Sequence, residues 1–383
     1  MSLRLSQEPA TVAARHRWAP RRPRRTLLAA ACVAGGALAL PFGAGSSSAV
    51  QTIGMAALVP APKGGTDAAA MLERAYQESQ TGTYHGVQFV MIDNQTHSVG
   101  VSHLPGHTYL YADSGPAVEA YETNDATPAA SSANPLSKDP LALLKQHYLL
   151  SIVGSEVMLG RTSTVIQAAT PAGRVAAKFW VDENSSLLVR RDTFDAQGNP
   201  YSRVEYTSLV VNSADPALQT VTTTALQPQG ILQDADRLDQ LRARGWWAQP
   251  QLPGGLTLYD AREVAGAGGT VLHLSYSDGI STVSVFEQRG RLAGAAGGQL
   301  PSGWRSLSMP DGRRVVQADG APVRAAWQAH DLVLAVIADV PPGSATAVIE
   351  ALPYGAAPAS HPTVVGRLGR GLGRIGNMLN PFG

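Results

Sequence analysis

Cysteine is almost absent: Cys32 is the only one in 383 residues. It lies inside an apolar run near the N-terminus, so a chain that loses this run has neither a disulfide framework nor a thiolate metal site. A lipid anchor on Cys32 is also disfavoured, because a lipoprotein signal carries Leu three residues earlier and here Ala29 stands there. Charge is sparse and balanced, with 30 Lys+Arg against 29 Asp+Glu, and aromatic residues make up 6%. A nucleic-acid binder needs a basic face to exchange for counterions, and this composition does not supply one. No nucleophile elbow, phosphate-binding loop or dinucleotide fingerprint occurs. His103 and His107 sit in HLPGH, where Pro105 and Gly106 forbid the helix that would align a metal pair. No catalytic residue, metal or cofactor is therefore expected.

What is present begins with an address. Seven arginines precede Thr26, and TLLAAACVAGGALALPF then runs from Thr26 to Phe42 without a charge. A basic segment, an apolar segment and the small residues Ser47-Ser48-Ala49 form an export signal with cleavage after Ala49. Arg24-Arg25-Thr26-Leu27-Leu28 also fits the core of a twin-arginine signal. The alternative is an uncleaved anchor over residues 26–42, since roughly 17 apolar residues is the lower limit for crossing a bilayer. Either way the chain is expected to be exported, periplasmic or extracytoplasmic. Removing residues 1–49 leaves 23 basic against 28 acidic residues, which argues further against nucleic acid.

The remainder suits two domains. Residues 50–65 and 126–140 have the Ala/Pro/Ser/Gly composition of linkers and loops. Thr66 or Asp67 caps a helix with Met71, Leu72, Ala75, Tyr76 and Ser79 on one face. Tyr84–Ile92 reads as a strand, and Asp139-Pro140 starts a second helix through Leu141, Leu144 and Tyr148. Alternation then predicts an antiparallel meander: Thr162–Ala169, Arg174–Asp182, Leu187–Phe194 and Tyr201–Val211, with a turn at Asp195 to Pro200. After a polar, helix-compatible stretch at Gln233–Arg244, a second unit opens at Trp246-Trp247. It holds a hairpin turning at Asp278-Gly279, strands at Arg314–Ala318 and Arg324–Gln328, the apolar strand Leu332–Val340, and a helix over Ser344–Leu352.

Several stretches resemble the MucB/RseB family of exported sigma-factor regulators, particularly its high-GC Gram-positive type. They are Gly160-Arg161-Thr162, Phe179-Trp180-Val181-Asp182 before Leu187-Leu188-Val189-Arg190-Arg191, and Phe194-Asp195 through Gly198. Further on are Leu252-Pro253-Gly254-Gly255-Leu256, Tyr276-Ser277-Asp278-Gly279 and Asp339-Val340-Pro341-Pro342. The resemblance covers residues 66–355; residues 93–135 hold few matching positions, and the segment after Tyr354 is extra. It implies an α+β fold: a curved antiparallel half-barrel of LolA/LolB type with covering helices over 66–211, then a linker at 212–245 and a smaller α+β domain over 246–355. The implied role is to bind the extracytoplasmic part of a membrane anti-sigma factor, shielding it from proteolysis and damping the envelope stress response. A lipid or lipoprotein carrier is the alternative, with Val87, Phe89, Met91, Phe179 and Val181 lining a cavity.

Arg190 and Arg191 are neighbours on one strand and must point to opposite faces. One is expected to meet solvent or a partner, and the other to need a carboxylate such as Asp182 or Glu205, or a ligand headgroup. Trp246 and Trp247 are candidates for partner contact, because aromatic residues dominate interface energetics. In the tail over 356–383, residues 363–383 place Leu368, Leu372, Ile375 and Leu379 at helical spacing beside Arg367, Arg370 and Arg374. This is either a basic amphipathic membrane contact or an unstructured tail weakened by its glycines.

Overall fold

A computed structural model describes residues 65–93, 95–112, 119–123, 140–216, 222–225, 230–232, 235–266, 269–292, 300, 303–320, 322–355 and 363–364. The expected signal or anchor, nearly all of the 50–65 linker, the loop at 126–139 and the tail beyond residue 364 lie outside the described residues. Among the described residues, no helix is long and apolar enough to cross a membrane.

Ten strands form the first sheet: β1 (Tyr84–Ile92), β2 (Gln95–Leu104), β3 (His107–Ala112), β4 (Glu119–Thr123), β5 (Leu149–Met158), β6 (Arg161–Ala169), β7 (Val175–Asp182), β8 (Leu188–Phe194), β9 (Pro200–Val211) and β10 (Thr222–Ala225). Their order is β10-β4-β3-β2-β1-β9-β8-β7-β6-β5, an open curved sheet. All pairs are antiparallel except β10 on β4, which is parallel. Helix α1 (Gly65–Thr81) buries Ala68, Leu72 and Ala75 at the expected spacing. Helix α2 (Pro140–His147) starts on its proline and buries Leu141, Leu143 and Leu144. Most of these side chains join Ile166, Ala168, Ala177, Phe179 and Val181 in a core on one face of β6 and β7. That is the helix-covered face.

The second sheet contains β11 (Gly230–Leu232), β12 (Gln251–Leu252), β13 (Leu256–Gly266), β14 (Gly269–Ser277), β15 (Thr282–Arg289), β17 (Trp304–Ser308), β18 (Arg314–Ala318), β19 (Val323–Ala329) and β20 (Leu332–Asp339). A separate short pair joins β16 (Arg291–Leu292) to β21 (Thr363–Val364). Strand β20 is buried at every position, as its unbroken apolar run requires, because it lies between β15 and β19. Helix α3 (Ala235–Ala243) contributes Leu238 and Leu241 to the core on one face, and α4 (Pro342–Ala351) contributes Ala345, Val348 and Ile349. The carbonyls at the C-terminal end of α4 accept hydrogen bonds from the buried Arg313: Nη1 donates to Ile349 O (2.6 Å) and Leu352 O (2.8 Å), and Nη2 to Glu350 O (2.8 Å). A guanidinium here satisfies orphan carbonyls and complements the negative helix end. The described residues of the stretch expected as a linker, 212–245, include β10 on the first sheet and β11 and α3 on the second.

The two sheets meet through the turn between β14 and β15. Ile280 at its tip is 5% exposed and belongs to the core beneath α1 and α2. Asp278 shapes the turn: its Oδ1 accepts hydrogen bonds from Ile280 N (2.9 Å) and Ser281 N (2.7 Å), and its Oδ2 accepts one from the Tyr148 hydroxyl (2.6 Å). Gly279 has φ +94°, and a Cβ placed on it would lie 2.2 Å from the Leu144 nitrogen. No other residue fits there. Truncation of the plugging side chain, Ile280→Ala, is expected to lower unfolding free energy by about 2–4 kcal/mol, measured by denaturant titration. Gly279→Ala should weaken the same contact through backbone strain and collision.

Candidate functional site

The register decides where the nominated residues stand, because directly paired residues share a face. Phe89 pairs with Glu205, Glu205 with Arg190, and Arg190 with Trp180. Val87, Phe89 and Met91 therefore lie on the Trp180 face. Phe179 and Val181 lie on the other face, buried beneath the helices. The five residues expected to line one cavity do not share a face. Alternation correctly grouped the residues within each strand, but pairing between strands set the two groups on opposite sides. On β1 it is Val90, not Phe89, that aligns with Val204, Arg191 and Phe179.

Arg190 and Arg191 do point to opposite faces. Arg190 stacks 4.3 Å above the Trp180 ring and donates from Nε (2.9 Å) and Nη2 (2.6 Å) to Asp192, with Glu205 at 3.6 Å. Asp192 also accepts two bonds from Arg203, each 2.9 Å. Burial raises the Asp192 carboxyl, but the bonds from Arg190 and Arg203 outweigh it and hold the group below the usual carboxylate range. Arg190 is thus committed to an ion network within its own sheet.

Arg191 is 4% exposed and faces the helix-covered side, where it lines a cavity of about 40 Å³ with Tyr84, Gln88, Val204 and Tyr206. That space holds a few waters, not an acyl chain. The expected partners are otherwise engaged: Asp182 pairs with Arg161 at 3.4 Å and Glu205 lies beside Arg190. The charge facing Arg191 is instead Asp339, at the end of β20 in the second sheet. Burial lowers the Arg191 guanidinium and raises the Asp339 carboxyl, and each partly offsets the other. Arg191 Nη1 and Asp339 Oδ1 are both buried without a hydrogen-bond partner. Sequence reasoning missed this pair because its members lie in different sheets.

Trp246 and Trp247 are half-buried and pack on the second core. Backbone N–H groups of Trp247 and Ala248 donate to Glu287 (2.8 and 3.1 Å). Glu287 is fully buried, and desolvation pushes its carboxyl up to about 7 despite those two bonds. His103 donates from Nδ1 to Gly82 O (2.7 Å) and stacks on Tyr84, while His107 stacks on Tyr109. Among the described residues, no group of three or more potential metal ligands comes together.

Residues 115–229, which span β4 to β10, match the family model of the MucB/RseB N-terminal domain. That segment is MucB/RseB-like. Among solved structures it is similar to MucB, with 17% identity, 74% of this chain and 96% of that chain covered, and a TM-score of 0.47. It is likewise similar to the MucA/MucB complex of Pseudomonas aeruginosa (20% identity, 76% and 100% covered, TM-score 0.45). A LolA superfamily protein from Nitrosomonas europaea is similar over 40% of this chain and 97% of its own, at 8% identity and a TM-score of 0.17. A comparison with curated proteins finds no match. The MucB/RseB-like segment contains Arg190 and Arg191 but not Trp246, Trp247 or Asp339.

Two outcomes are expected. Arg191→Met and Asp339→Leu should act non-additively on unfolding free energy, the double variant losing less than the sum of the two single changes, because the two buried groups face each other. A double-mutant cycle in denaturant measures it. Glu287 and Asp339 bind protons more tightly folded than unfolded, so the stability they add is full at low pH and is lost as pH rises. For Glu287 the window runs from its ordinary 4.5 to about 7. Thermal midpoints should fall across it, and Glu287→Gln should flatten the slope.

Proposed function

We propose that this chain is an exported binding protein that engages the extracytoplasmic part of a membrane anti-sigma factor and so restrains an envelope stress response. The observation that carries this reading is the MucB/RseB match over residues 115–229. Titratable groups with displaced protonation, among them Asp192, Arg191, Asp339 and Glu287, owe it to intrachain partners or packing. Action outside the cytoplasm belongs to the same proposal, supported by the basic and apolar N-terminal segments that read as an export signal.

The helix-covered apolar face supports a second reading, a carrier of lipid or lipoprotein. An acyl chain would need the volume that Ile280 and its neighbours fill, so a loaded state requires the β14–β15 turn to withdraw. Mass spectrometry of a lipid extract from purified protein separates the two readings: bound lipid favours the carrier.

The regulator is tested by pull-down. The outer segment of a single-span anti-sigma factor encoded beside this gene should be retained by the full chain and protected from a site protease. Loss of retention at micromolar concentrations of both would overturn the reading.

A further inference from the structure

Arg191 supplies the charge of a small cavity on the helix-covered face of the first sheet. Ser79 near the end of α1, Tyr84 at the start of β1, Gln88, Val204 and Tyr206 wall it, and its volume is about 40 Å³. That is room for about three waters, or for one small ion in their place. Arg191 is 4% exposed, and its Nη1 has no hydrogen-bond partner. Asp339 faces it from β20, yet Asp339 Oδ1 is unpartnered too, so these two atoms do not meet. Among the described residues no Asp or Glu lines the cavity. Arg190 borders it as well, but its guanidinium lies over Trp180 on the other face and is bound to Asp192.

The walls suit a guest rich in acceptors. The Tyr84 hydroxyl donates to Ser79 O (3.3 Å) and Ser79 Oγ to Tyr76 O (2.7 Å), so these carbonyls near the negative end of α1 are already engaged. Burying a charge without a hydrogen-bonded counterpart is costly. A guanidinium also presents a planar fork that matches two oxygens of a carboxylate or phosphate. We propose that this cavity binds one free, small oxyanion, of the size of acetate or inorganic phosphate, with Arg191 as its principal contact. A headgroup held in a bilayer does not reach a guanidinium buried this deeply, so the ion is free. The inference stands on side chains of the first sheet and does not depend on the family match.

The test titrates the full chain, exchanged into Tris chloride, with sodium phosphate and with sodium acetate by isothermal calorimetry. Excluded anions such as phosphate stabilise folded proteins in general, so the readout is binding and not a thermal midpoint. At least one of the two ions should bind saturably, one per chain. Arg191→Gln should weaken that binding by at least about tenfold, equivalent to roughly 1.4 kcal/mol. Val204→Leu adds a methylene to the cavity wall and leaves every charge in place; it should weaken binding by a similar factor. It keeps the test valid if Arg191→Gln misfolds, with circular dichroism as the check. A third arm measures retention of the chain on phosphatidylglycerol vesicles. No saturable binding of either ion, or unchanged affinity in a folded variant, would overturn the proposal. So would vesicle retention that Arg191→Gln abolishes and free phosphate does not compete away, because the site would then belong to a lipid headgroup.

Discussion

Gly279 presses its backbone against that of Leu144, with no room for a side chain between them, and this close approach holds the two sheets together. Because the turn can come so near, Ile280 reaches the core under α1 and α2, Asp278 meets Tyr148, and the end of β20 brings Asp339 to Arg191. The core of the first sheet is therefore completed by a residue from the second. A family of inward-facing positions that looks like a carrier's lining is a filled interior. Buried apolar area contributes about 25 cal/mol per Å² removed from water, so opening this face exposes both the sheet and the plug.

The electrostatics follow the same boundary. On the Trp180 face, Arg190, Asp192 and Arg203 satisfy one another through short bonds with Glu205 3.6 Å from Arg190, which is an inexpensive way to keep charge partly buried. On the helix-covered face, Arg191 and Asp339 are buried with unmet hydrogen-bonding capacity. Such a pair stabilises weakly at best but penalises any arrangement that leaves one charge alone. It therefore discriminates between seated and unseated positions of the second sheet more than it adds stability.

Much of this was legible in the residues. The meander β6 to β9 and the strands β18 to β20 follow from alternation, polar turns and one unbroken apolar run, and α1, α2 and α4 from spacing and capping proline. Strand β2 was not legible: Gln95, Thr96, His97 and Ser98 are exposed and polar, so they carry no alternation. The opposed directions of Arg190 and Arg191 follow from strand geometry alone. Their partners do not, since Asp339 is far away in sequence and a bulge between Trp180 and Val181 shifts the local register. Likewise Val87, Phe89 and Met91 form a set by period two, but only pairing through Glu205 and Arg190 tells which face that set occupies. The Asp278-Gly279 turn announced a hairpin; nothing in its sequence announced where Ile280 would go.

The parallel pairing of β10 with β4 joins residues about a hundred positions apart. A nascent chain cannot finish that edge of the first sheet until it has been delivered through Ala225, well beyond the meander. Contacts of such long sequence separation slow folding, because loop closure precedes their reward. A fragment cut after Val211 would keep every strand of the meander yet leave β4 as a raw edge, open to pairing with another molecule.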